Sequence, residues 1–181
     1  MGMETRDRNT IALAALRISV GMLFLIFGDY KVFDEEFIWR GGFQFWINRF
    51  LTDGAYPFML PVLQKFVLPH ATAIAFLVAY GELAIGLALV LGIVVRPTSI
   101  CALIYMLTLL FCSNYPGPQA AFWQYFGASL DHSVLALCFL AFIFGEAGRA
   151  LSICSCWPML VGRQETSASC SSPESRNPNE R

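Results

Sequence analysis

Residues 80–97 read YGELAIGLALVLGIVVRP. They lie in an apolar run, 71–95, in which Glu82 is the only formally charged residue. A helix of that length rises roughly 37 Å, enough to cross a hydrocarbon core of about 30 Å with some tilt. A carboxylate in the middle of such a span costs about 2.5 kcal/mol or more unless it has a partner or stays protonated. Ala75, Ala79, Glu82 and Gly86 recur at spacings of 4, 3 and 4, so they share one helix face. Small side chains there let a second helix approach closely and bring a partner to the carboxylate. Glu82 is then either a hydrogen-bonded residue of a packing face or a functional group.

Three further apolar runs, about 11–33, 98–115 and 129–151, extend the pattern. The chain of 181 residues is 56% hydrophobic and 14% charged, where soluble domains carry about 25% charged residues. This composition predicts an all-α integral membrane four-helix bundle. A charged leader spans 1–10, the membrane domain 11–153, and a Ser/Pro/Asn-rich tail, expected to be disordered, 154–181. The net charge of −1 gives no reason to expect nucleic-acid binding. The first run is longer than a signal-peptide core and no small-x-small site follows it, so it is expected to remain as an anchor. With four spans, Arg6, Arg8, Arg17, Arg96, Arg149, Arg163, Arg176 and Arg181 fall on one side, and Lys31, Arg40, Arg49 and Lys65 on the other. That bias predicts both termini on the cytoplasmic side of an inner or plasma membrane.

In the first run Arg17, Gly21, Phe24, Gly28 and Lys31 also repeat at helical spacing. Counted from the ends of the runs, Arg17 and Glu82 differ in depth by a few ångströms, which a guanidinium can bridge. An Arg17–Glu82 pair is the expectation, with snorkelling of Arg17 to the headgroups as the alternative. Between the first two spans, 34–69 is rich in aromatic rings, among them Phe37, Trp39, Phe43, Trp46, Phe50 and Tyr56. Residues 43–51 read as a short interfacial helix closed by Asp53-Gly54, and 57–68 as a second interfacial or re-entrant piece. This segment caps the outer end of the bundle or is a plain aromatic belt. Arg96-Pro97 marks a tight inner turn. Asp131-His132 opens the fourth span near the depth of Asp29 and Lys31, although Asp131 also suits a helix N-terminus. Glu146 and Arg149 form an i, i+3 pair at the inner exit.

Six cysteines give no disulfide framework, and Cys154-Ser155-Cys156 lacks the second ligand pair of a zinc site, so no metal is expected. A bis-histidine haem would need both histidines of the chain, His70 and His132.

Arg17-Ile18-Ser19-Val20-Gly21 through Phe27-Gly28-Asp29-Tyr30-Lys31, then Gly81-Glu82 with Gly86 and Leu91-Gly92, then Arg96, resembles the DoxX/DoxD family of small four-span membrane proteins. Gly42-Phe43 with Trp46, Asp131-His132-Ser133 and the residues 145–151 look closer to the DoxD branch, which includes the small subunit of thiosulfate:quinone oxidoreductase. The resemblance implies a quinone-linked oxidoreductase subunit, with thiosulfate or another small sulfur donor as one inheritance. On that reading Glu82, Arg17 and His132 are candidates for proton exchange with quinone, and Asp131, Lys31, Asp29 and Trp46 for outer-side binding. The chain carries no evident flavin, haem or metal site of its own, so a redox partner subunit is expected beside the lipid bilayer, and self-association is open. The alternatives are a non-catalytic scaffold or assembly factor of redox homeostasis, and a small-molecule or lipid carrier.

Overall fold

The computed structural model describes residues 2–145, 147, 148, 150 and 151. Among these, the regular structure is helical throughout, with no strand. α1 spans Gly2–Phe33, α2 Glu35–Ile38, α3 Gly42–Asp53, α4 Leu60–Val62, α5 Ala71–Leu91, α6 Val95–Cys112, α7 Gln124–Gly127 and α8 Leu130–Phe144. Three stretches are long and apolar enough to cross a membrane: Arg8–Phe33, Leu60–Leu91 and Val95–Cys112. Outward-facing leucines such as Leu77 and Leu137, 72% and 66% exposed, make sense only against an apolar solvent. α8 is apolar but has 15 residues and ends earlier than the run 129–151 suggests. At Gly145 the backbone turns to φ −83°, ψ 172°, and the chain leaves the helix. Glu146, Arg149 and everything from residue 152 lie outside the described residues, and with them the Glu146–Arg149 pair, Cys154 and Cys156.

α1 and α5 pack along most of their lengths, and the small-residue stripes of both helices face each other. A Cβ on Gly28 would sit 2.8 Å from the Leu83 backbone nitrogen, and one on Gly86 2.8 Å from that of Leu25. Gly21 likewise meets Val90. These contacts fix the antiparallel register: Gly21 is level with Val90 and Gly28 with Leu83. α6 packs on α8 in the same way, burying Ala102 and Met106 with Phe139 and Phe142, while Phe24 of α1 meets Phe139 edge-on at 5.4 Å. These helices therefore pack as two pairs, α1 with α5 and α6 with α8. The α5–α6 turn sits at Gly92–Val94, with Gly92 at φ 72° closing α5, so Arg96 and Pro97 belong to the first turn of α6 rather than to the turn itself. Proline is tolerated there because the first helical N–H groups have no partner inside the helix.

The aromatic connection carries the helices α2 and α3. α3 covers the expected helix and ends on Gly54 in the left-handed region at φ 107°. Phe37, Ile38, Phe43 and Ile47 bury themselves against Ala71, Ala75 and Ala79 of α5, so α2 and α3 pack on α5 beyond the end of α1. Beyond Gly54 the chain is stitched to the end of α6. Tyr56 N–H donates to Phe111 O at 3.0 Å, Tyr115 N–H to Gly54 O at 2.7 Å, and the Tyr56 hydroxyl to Tyr125 O at 3.2 Å. Residues 57–68 do not form a separate piece. Leu60–Val62, a π-turn at Leu63–Val67 and a 3₁₀ turn at Leu68–His70 lead without a break into α5. Pro61 and Pro69 both occupy first-turn positions of these short helices, where a missing N–H costs little.

Candidate functional site

Glu82 is buried where the two helix pairs meet. Lys31 Nζ from α1 and the Tyr105 hydroxyl from α6 both donate to its Oε1, each at 2.5 Å. Its Oε2 is buried with no hydrogen-bond partner. The small-residue stripe on α5 thus does bring a partner to the carboxylate, and the partner is Lys31.

Arg17 does not pair with Glu82. It is fully buried, and its guanidinium donates to backbone carbonyls just beyond α8: Nη1 to Ala147 O at 2.7 Å and Ala150 O at 3.5 Å, Nη2 to Leu151 O at 2.7 Å. The register explains the difference. Gly28 is level with Leu83, so Lys31, one turn further on, reaches Glu82, whereas Arg17 lies about 21 Å back along α1. The depth count from the ends of the apolar runs fails because Phe33 and Ala71 are not level. α5 is prolonged outward by Leu60–His70, while α1 stops under α2 and α3. Arg17 ties the first span to the chain leaving α8, which is a structural task.

Between the α1–α5 pair and the α6–α8 pair lies a cavity of about 1150 Å³, roofed by α3 and the π-turn. One face of α6 supplies Cys101, Ile104, Tyr105, Thr108, Leu109, Cys112 and Ser113, alternately three and one residues apart as a helical stripe requires. Lys31, Trp46, Asp131 and His132 also line it, so four of the sequence candidates share one space. Asp131 lies in the first turn of α8, its Oδ1 3.2 Å from His132 Nδ1; the His132 side chain is 24% exposed and that of Asp131 72%. Arg49 stacks over the Trp46 ring at 5.8 Å. Asp29 is exposed and Arg17 is distant, and neither lines the cavity. His70 is also apart: its Nδ1 faces Phe66 O at 2.9 Å on an exposed surface, so it does not join His132 in a haem-type pair.

Tyr105 was not legible as a site residue from its own span, which has no charge. The signal was its position. Glu82 lies ten residues before Gly92 and Tyr105 ten after Val95, so across a tight antiparallel turn the two are level.

The DoxX family model matches residues 12–114. The chain belongs to the DoxX family. The matched stretch takes in α1 through α6, hence Arg17, Lys31, Glu82 and Tyr105, and stops before Asp131 and His132. No curated protein and no solved structure matches the chain. With its apolar helices, this DoxX-family chain is an integral membrane protein in contact with lipid.

Proposed function

We propose that this DoxX-family chain is the quinone-binding membrane subunit of an oxidoreductase complex. The observation that carries this reading is the cavity, large and mostly apolar, lined by Lys31, Tyr105 and His132, with Lys31 and Tyr105 both bonded to Glu82 behind its wall. Such a mixture of apolar walls and a few converging polar groups is the usual make-up of a small-molecule site. Lys31 keeps two N–H groups beyond the one given to Glu82, and these can hold a carbonyl oxygen in place. Glu82 Oε2, buried without a partner, can take a proton, and Tyr105 can pass one to Oε1. His132 is the neutral-pH proton carrier nearest the exposed Asp131. A quinone bound there supplies two-electron chemistry coupled to two protons. The electrons come from a redox partner subunit, with a small sulfur compound such as thiosulfate as donor.

The same reading takes α8 as a fourth, shorter span, the segment 34–69 as an aromatic cap at the outer interface, and both termini as cytoplasmic. Self-association remains part of the proposal. The α1 and α5 stripes pack on each other inside the chain, so a partner helix would have to dock elsewhere, and this weighs against a scaffold that uses them.

Gentle purification followed by solvent extraction tests the reading. About one quinone per chain, retained with a co-purifying redox subunit and lost in His132→Ala with Tyr105→Phe, is the expected result. A chain that purifies free of quinone and binds none on addition would overturn it.

A further inference from the structure

We infer that the cavity sorts ligands by the charge of their polar head: it accepts an uncharged carbonyl-headed amphipath and turns away an anionic one, and Glu82 imposes that rule. This rests on the cavity being a ligand site and narrows it to a ligand class. Lys31 faces the cavity with 21% of its side chain exposed, and a carboxylate 6% exposed stands directly behind it at 2.5 Å. The ammonium therefore meets a ligand already neutralised. Its remaining N–H groups suit a carbonyl oxygen, but a ligand carboxylate or phosphate would sit just across the ammonium from Glu82, two hydrogen bonds away, where like charges repel in a low dielectric.

Tyr105 reinforces the rule. Its proton is committed to Glu82 Oε1, so the phenol oxygen offers the cavity an acceptor, which again disfavours an anion. At the outer end Asp131 adds a negative charge beside His132, and Arg49 is stacked on Trp46. Counting Glu82 behind the wall, the carboxylates match the cations: Lys31 and Arg49 against Glu82 and Asp131. The rest of the space suits a chain. The α6 stripe from Cys101 to Ser113 gives about 18 Å of wall, and Ile26, Ile74 and Val78 make the opposing surfaces apolar.

Methyl laurate and laurate share the same chain and carbonyl and differ in charge, so they form the test pair. Both are titrated at equal membrane mole fraction into the chain in nanodiscs. The readouts are the thermal midpoint and the alkylation rate of Cys101 in a variant keeping that cysteine alone. The expected result is that methyl laurate raises the midpoint and protects Cys101, and laurate does neither. In Glu82→Gln, laurate binding should rise about tenfold as Lys31 becomes an unopposed cation. Lys31→Gln combined with Glu82→Gln should abolish that gain. Equal or tighter binding of laurate in the unmodified chain overturns the inference without reference to any variant. So does an unchanged laurate affinity in a Glu82→Gln protein that keeps its helical circular dichroism. A short-chain quinone separates the two claims. Quinone binding without the charge switch retains the proposed function and sinks the rule; the charge switch without quinone binding does the reverse.

Discussion

Gly28 of α1 lies against the Leu83 backbone of α5 so closely that a methyl group on it would stand 2.8 Å from the Leu83 nitrogen. This contact, with its counterpart at Gly86, sets the register that carries Lys31 to Glu82. Gly28→Ala must push the helices apart, and the obstacle is backbone rather than a flexible side-chain end. A loss of about 1–3 kcal/mol is expected, read as a lowered thermal midpoint in nanodiscs. Gly81→Ala is the control: its Cβ meets nothing within 4 Å, so it should be neutral or mildly stabilising. Equal losses at both positions would contradict the register.

Lys31 and Glu82 should be coupled, and Arg17 and Glu82 should not. In a double-mutant cycle of Lys31→Gln and Glu82→Gln, the pair should be non-additive by about 1–3 kcal/mol. The cycle of Arg17→Gln with Glu82→Gln should add within about 0.5 kcal/mol. Thermal unfolding in a mild detergent measures both, and a reversed pattern would contradict the observed partners.

Arg17→Gln should cost about 1–3 kcal/mol, since it leaves the buried carbonyl of Ala147 and the half-buried one of Leu151 without their donor. Arg17→Lys should not rescue it. One ammonium cannot spread its donors over the carbonyls that the planar fork reaches. Full stability of the lysine variant would mean that charge alone matters there.

The aromatic connection should be protected from hydrogen exchange. Amides of α3 are intrahelical, and Phe43 and Ile47 are buried against α5. In nanodiscs the stretch 43–51 should exchange orders of magnitude more slowly than a free loop. Complete exchange within seconds would show that α3 does not hold its place against α5.

Orientation can be checked with a membrane-impermeant thiol reagent on single-cysteine variants. Gln119→Cys, on an exposed position of the loop after α6, should label from outside intact cells, and Cys170 should not. The reverse labelling would invert the proposed topology.

The membrane class, the order of the long apolar helices and the meeting of the two small-residue stripes were legible because each follows from spacing within one helix. Relative depth was not. It depends on where each helix starts, and the helical character of Leu60–His70 is hidden behind Pro61 and Pro69, which read as boundaries. That shift moved Glu82 from Arg17 to Lys31. The partners of Arg17 were also out of reach, since they are main-chain carbonyls that no side-chain pattern announces. Of the site, Lys31, Trp46, Asp131 and His132 could be read from charge and ring character near the ends of the apolar runs. Tyr105 required counting across a turn.

The carbonyls that hold Arg17 lie 130 or more residues further along the chain. When the first span leaves the ribosome, its arginine has nothing to bond to, and bare in hydrocarbon it would be costly. α1 must therefore enter the bilayer in a provisional position, with Arg17 held at the lipid headgroups or in the insertion machinery. It can slide to its final depth only after α8 has been synthesised and its trailing turn arrives. α1 is thus made well before the residues that seat it, and truncation after α6 should leave a chain that inserts but whose α1 stays shallow.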